Sequence, residues 1–187
     1  MPALLSELRD EHRSISQVLD CLEHQMRLFE SGEQLDFDVV LAALDYFESF
    51  PEQCHHPKED VVFRRLRERD ARAAKEIGDL DKAHDQLTAH FLDFAQSIRE
   101  ILKEAELPRN AIIGWARDFI ERQRIHMAVE ETRFFPVAEA LLTLQDWQEV
   151  AQQAPRGRDP LAAGTREARF KVLERKIVTW DGEKHSE

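Results

Sequence analysis

Four stretches of the chain share one constraint: apolar residues recur three and four apart, and a single histidine stands where the next apolar residue belongs. In the first, Leu5, Leu8, Ile15, Leu19, Leu22, Met26 and Phe29 leave a gap at His12. Another runs through Ile77, Leu80, Leu87, Phe91, Phe94, Ile98 and Ile101 and leaves a gap at His84. Between them, Leu41, Leu44 and Phe47 continue past Pro51 through His55, Glu59, Val62 and Leu66; later, Ile112, Trp115 and Phe119 continue through His126, Glu130, Phe134, Val137 and Leu141. Such spacing places each set on one face of a helix. A chain of this pattern must bury four amphipathic helices against one another, and it carries four imidazoles into the core with them.

The helical reading agrees with composition: Gly and Tyr are scarce, while Leu, Ala, Glu, Arg and Gln are abundant. The expected fold is all-α, an antiparallel up-down-up-down four-helix bundle. A chain of 187 residues, 42% apolar, supports one core, with the remaining length as an appendage. We expect a bundle over 1–154, then a linker at Pro155-Arg156-Gly157-Arg158-Asp159-Pro160 and an amphipathic extension over 155–187. Phe170, Leu173, Ile177 and Trp180 predict a helix from about Thr165 to Thr179, docked on the bundle or on a second copy as a homodimer. Ser31-Gly32-Glu33 should end the first helix and Asp36 should cap the next. Pro51 and Pro57 predict a bend between Phe50 and Lys58, Pro108 a break, Pro136 a kink or stop, and Leu144 to Val150 a short further helix.

A formal charge of −11 excludes binding to nucleic-acid phosphates and disfavours anionic membranes. No apolar run approaches the roughly 20 residues of a membrane span, and the first residues lack the basic start and apolar stretch of an export signal, so a cytoplasmic protein is expected. Cys21 and Cys54 then read as reduced thiols, and neither belongs to a CxxC.

The second and fourth stripes share a motif, His-x-x-x-Glu-acid-x-x-Phe, beginning at His55 and at His126. Residues i and i+4 of a helix stand one turn apart on the same face, so one imidazole and one carboxylate can address a common metal. Roughly one or two His-x-x-x-acid pairs are expected by chance in this composition. Three occur, His55/Glu59, His56/Asp60 and His126/Glu130, so the spacing alone does not establish a site. Periodicity leaves His55/Glu59 and His56/Asp60 both open, because the prolines bend the helix there; Phe63, matching Phe134, favours His55/Glu59.

The constellation is more informative than any pair. His12, His55, His84 and His126 each occupy a core-facing position on a different helix, and Glu59 and Glu130 join them. An unpaired carboxylate in such a core would be costly, and a shared pair of cations removes that cost. Imidazoles and carboxylates without thiolate suit iron or manganese, with zinc also compatible. His90 lies six residues after His84, about 240° around the helix, and is not expected at the same cluster.

These residues resemble the hemerythrin-like family, the HHE cation-binding domain, over approximately residues 3 to 150. The resemblance rests on Asp10-Glu11-His12, His55-His56-Pro57-Lys58-Glu59, Ala83-His84-Asp85 and His126-Met127-Ala128-Val129-Glu130-Glu131. It implies a non-haem centre of two iron ions with Glu59 and Glu130 as bridging ligands. Oxygen-carrying members have a further histidine one turn after the third-helix ligand, where this chain has Thr88, which puts reversible oxygen carriage in doubt. The resemblance implies a partner among small ligands, dioxygen, nitric oxide or peroxide, with roles in sensing, stress response or iron handling. A metal-stabilised interaction module without redox chemistry is the alternative from a different class, and no residue pair identifies an organic substrate.

Overall fold

A computed structural model describes residues 1–102, 108–162 and 170–184, and side chains within these as far as Ile177. Among the described residues all regular structure is helical. α1 spans Ala3–Glu30, α2 Phe37–Ser49, α3 His56–Arg69, α4 Ala71–Ile77, α5 Leu80–Leu102, α6 Arg109–Val129, α7 Phe135–Leu141, α8 Leu144–Gln153 and α9 Lys171–Lys184. α6 packs between α1 and α5, while α3 lies against α5, α7 and α8. No helix among the described residues is long and apolar enough to cross a membrane.

The helix ends follow local chemistry. α1 stops before Gly32, whose φ of 93° suits a residue without Cβ. The Asp36 carboxylate accepts the Val39 N–H at 3.3 Å and starts α2 as expected. Gly78, at φ 120°, separates α4 from α5, so the third stripe crosses a break at Ile77 that apolar spacing conceals. α8 begins with a capping box between Thr143 and Asp146, and Asp146 also binds Arg65 and Arg69.

Two π-helical turns interrupt the bundle, at Pro51–His55 and at Glu130–Phe134. Each is followed within two residues by a proline, Pro57 or Pro136. A proline ring crowds the carbonyl one turn back and offers no N–H, and a wider turn relieves both problems. The His55 N–H bonds the Phe50 carbonyl at 3.2 Å, the five-residue reach of such a turn.

The core is divided. One apolar cluster joins α1 from Ile15 onward with α2, Phe91, Phe94 and Ile98 of α5 and Ile112 to Met127 of α6. The other joins Leu4, Leu5 and Leu8 with Val62, Phe63, Leu66, Leu80, Phe134, Phe135, Trp147 and Val150. The four histidine gaps fall where each stripe passes from one cluster to the other. Two stripe members depart from the expected core: Trp115 is 41% and Leu141 38% exposed. α6 instead buries the edge through Ile112, Ala116, Phe119 and Gln123, which leaves Trp115 at the rim.

The C-terminal stripe is used within the chain. Phe170 and Leu173 are fully buried in the first cluster, with Ile177 packed against it, and α9 lies on α1 and α2. Lys176 pairs with Asp36 at 3.1 Å, and Tyr46 donates its hydroxyl to buried Asp159 at 3.3 Å. The expected helix start near Thr165 and the side chain of Trp180 lie outside the described residues, as does that of Ile101.

Candidate metal centre

The layer between the two apolar clusters holds seven buried ionisable side chains: His12, His55, His56, Glu59, His84, His126 and Glu130. All six residues expected from the sequence are brought together there. Glu59 and Glu130 are fully buried, and neither has a hydrogen-bond partner for either oxygen. The Nε2 atoms of His12, His56, His84 and His126 are orphaned in the same way. Buried polar atoms are almost always satisfied, so this many orphans facing one another mark a position for a ligand the protein atoms do not supply.

The donors fall into two groups. His56, Glu59, His84 and His126 offer atoms within 4.8 Å of one another, and so do His12, His55 and Glu59. Both carboxylates span the groups. Glu59 lies 3.4 Å from His12 Nε2 and 3.4 Å from His55 Nε2 through its two oxygens, and 3.6 Å from His84 Nε2. Glu130 lies 3.4 Å from His12 Nε2, 3.5 Å from His84 Nε2 and 2.9 Å from His126 Nε2. Either group could hold a metal ion, and Glu59 is common to both.

The open choice between His55 and His56 resolves in an unexpected way, since both rings are buried, 1% and 4% exposed. Consecutive α-helical residues diverge by about 100°, whereas the wider π turn ending at His55 brings them closer in angle. His56 stacks on His84 with ring centroids 4.3 Å apart and planes 12° from parallel. Asp60, the other half of the alternative pair, does not enter the layer. It accepts a hydrogen bond from His84 Nδ1 at 2.9 Å.

That contact belongs to a pattern. Glu131 faces His12 Nδ1 at 2.9 Å, and Glu11 faces His55 Nδ1 at 2.9 Å. A carboxylate on Nδ1 fixes the tautomer that presents Nε2 inward and makes that nitrogen more basic, the usual support of a metal-bound imidazole. Each of these acids adjoins one inward residue in sequence and holds a ring on a different helix: Glu11 follows α1 to His55, Asp60 reaches α5, and Glu131 reaches α1. The repeated motif has an acid after each glutamate, but its spacing does not say which ring that acid serves. A weaker contact joins Glu52 to His56 Nδ1 at 3.6 Å, and Thr88 donates its hydroxyl to Glu52 at 2.6 Å. Thr88, where a histidine was sought, thus supports the carboxylate behind His56.

Burial and charge act unequally within the layer. Burial alone would push His12 down, but the carboxylates of Glu130, Glu131 and Glu59 around its ring carry it up to about 11. His84 follows the same rule through Asp60 and Glu130 and reaches about 10. Desolvation prevails at His55, lowered to about 4, and at His56, held well below the usual range. Glu130 resists its own burial because His126, His12 and His84 surround it, and its carboxyl stays well below the usual value. Burial raises Glu11 to about 7 against the pull of Lys58, a buried cation bonded to Glu11 and, at 2.6 Å, to Glu7.

His90 stays outside, paired with Asp118 at 3.0 Å. Neither Cys21 nor Cys54 belongs to the donor groups. The family model of the hemerythrin HHE cation-binding domain matches residues 3–138, a span that contains every inward residue of the layer. Comparison with curated proteins and with solved structures finds no match.

Proposed function

We propose that this chain, which belongs to the hemerythrin HHE cation-binding domain family, is a non-haem di-iron protein whose centre binds or reacts with dioxygen, nitric oxide or a peroxide. The observation that carries this reading is the convergence of orphaned Nε2 and carboxylate atoms in two donor groups that share Glu59, with Glu130 within 3.5 Å of His12, His84 and His126. Imidazole and carboxylate donors without thiolate favour iron, and manganese or zinc would fit the same set. Bound iron would supply redox equivalents and coordination positions for a small ligand. His56, His84 and His126 would hold one ion, His12 and His55 the other, with both glutamates shared.

This assignment gives the second position fewer protein donors, so an external ligand belongs on the His12/His55 side. It also supplies five imidazoles in all, with His56 from α3 in place of a histidine at position 88. Glu11, Asp60 and Glu131 hold the proton on Nδ1 of three of these rings. Phe135, stacked on His12 at 5.3 Å, and Phe50, tilted against His55 at 6.3 Å, keep water from the layer. Cys21 and Cys54, read as reduced thiols, fit the cytoplasmic setting expected from the sequence. Sensing, stress response and iron handling are the roles this chemistry serves.

Protein purified without a chelating step should carry about two irons per chain and show ligand-dependent charge-transfer absorption under oxygen or nitric oxide. His56→Ala should lower iron affinity about tenfold or more, the scale of losing one positioned donor, while His90→Ala leaves iron content and spectrum unchanged. A featureless, zinc-loaded protein, or iron retention in His56→Ala equal to the parent, would overturn the assignment.

A further inference from the structure

Lys58 is 1% exposed, and among the described residues it is the one buried lysine or arginine. It stands in α3, three residues after His55 and one before Glu59, and its side chain crosses to α1. There the ammonium donates to Glu7 at 2.6 Å and to Glu11, carboxylates one helical turn apart, and lies 5.8 Å over the ring of Phe50. The other oxygen of Glu11 faces His55 Nδ1 at 2.9 Å, and His55 Nε2 lies 3.4 Å from Glu59. A continuous chain of contacts thus leads from Lys58 through Glu11 and His55 to the donor group of His12, His55 and Glu59.

His12 and His84 are held differently. Glu131 and Asp60, the acids on their Nδ1 atoms, are 34% and 33% exposed, so water can complete their hydrogen bonds. The side chain of Glu11 is 4% exposed, and a carboxylate shut away from water needs its charge and remaining lone pairs satisfied by the protein. Lys58 meets that need. Stability alone does not account for the arrangement, since packed apolar side chains of the same volume often match or better a buried ion pair. An ammonium can only donate, so the Glu11 oxygen it holds is an acceptor and the carboxylate is not free to turn. The ring that Glu11 faces then keeps its proton on Nδ1 and its Nε2 toward Glu59.

We propose that Lys58 is a positioning residue of the candidate centre: by clamping Glu11 it fixes the ring of His55, so that the ion held by His12, His55 and Glu59 depends on Lys58 and the ion held by His56, His84 and His126 does not. The inference rests on the reading of the layer as a metal centre and adds to it a residue, itself no ligand, that makes the two positions unequal.

Zinc fits the same donors and has no redox chemistry, so it serves as the probe, titrated into the metal-free full chain. Lys58→Met should weaken one of two bound zinc ions about tenfold, the scale of losing the partner of a metal-bound imidazole, and leave the other within twofold. Lys58→Met/Glu11→Gln leaves no unpaired charge in the core and should fold; its loss should not exceed that of either single variant, because both residues act through one chain of contacts. Lys58→Arg should recover part of the affinity. In the zinc-loaded parent the His55 Nδ1 proton should give a slowly exchanging NMR signal, and in Lys58→Met that signal should be lost to exchange, which loosened packing elsewhere would not cause. Unchanged affinity, equal losses at both ions, additive losses in the double variant, or an unmoved Nδ1 proton overturns the proposal. A parent chain that binds neither zinc nor iron overturns the metal reading instead. The Nδ1 proton of the metal-free chain then decides the role of Lys58: its loss in Lys58→Met supports the clamp and its persistence overturns it.

Discussion

His12 and His84 titrate in the opposite direction from His55 and His56, although all four are buried in one layer. Metal-free protein should therefore hold protons on the first pair at neutral pH. With folded values near 11 and 10, above the ordinary 6.5, these two contribute stability that is complete below about pH 6.5 and is lost as pH rises through 10 to 11. His55 and His56 bind protons more weakly folded than unfolded, so their contribution is present above 6.5 and fades as pH falls toward 4. The metal-free fold should be most stable near neutrality. Metal ligation requires neutral imidazoles, so loading at pH 7 should expel about two protons per chain. Calorimetry in two buffers of different ionisation enthalpy measures that number, and a value near zero would contradict the electrostatics described for His12 and His84. At this scale much of the site was legible: each of His12, His55, His84 and His126 interrupts an apolar stripe. His56 was legible only as an alternative to His55, because one residue's offset looks like another helix face. Glu11, Asp60 and Glu131 adjoin inward residues in sequence yet serve rings on other helices, a pairing that only the packing defines.

The elements explain that blind spot. Periodicity assumes 3.6 residues per turn, and both repeated motifs lie beside turns that hold one residue more. Pro57 and Pro136 signalled the disturbance but not its direction, since a proline can kink, end or widen a helix. Gly78 hid for a simpler reason: Ile77 and Leu80 keep helical spacing across a break that has no helical backbone. The tail raises a separate point. A Cβ at Gly157 would overlap Cys54 Sγ, so the main chain of the linker lies directly on a thiol beside His55. Gly157→Ala should lift the segment and speed maleimide labelling of Cys54 about tenfold, equivalent to ~1.4 kcal/mol of undocking. Labelling at the parent rate would show that the linker does not cover the thiol.

For the whole molecule, the divided core decides how metal and folding are coupled. Each apolar cluster draws on α1, α5 and the α6–α7 region, but the layer between them contributes buried charge in place of apolar contact. A tightly bound metal at a thousand times its dissociation constant adds about 4 kcal/mol, which for a chain of this size corresponds to roughly 8–16 °C in Tm. Chelation should lower the parent's melting temperature by that amount and leave Glu59→Ala/Glu130→Ala unmoved; equal melting of the parent with and without metal would sink the coupling. A bundle whose layer was filled with leucine and phenylalanine would have one continuous core and no need of an ion, since replacing buried ionic networks by packed apolar groups is often stabilising. The chain is thus secured at both ends and leanest at its waist. Slow opening of amide protons should begin there, and any change that tightens or loosens the fold elsewhere will be felt first as a change in the chemistry of the waist.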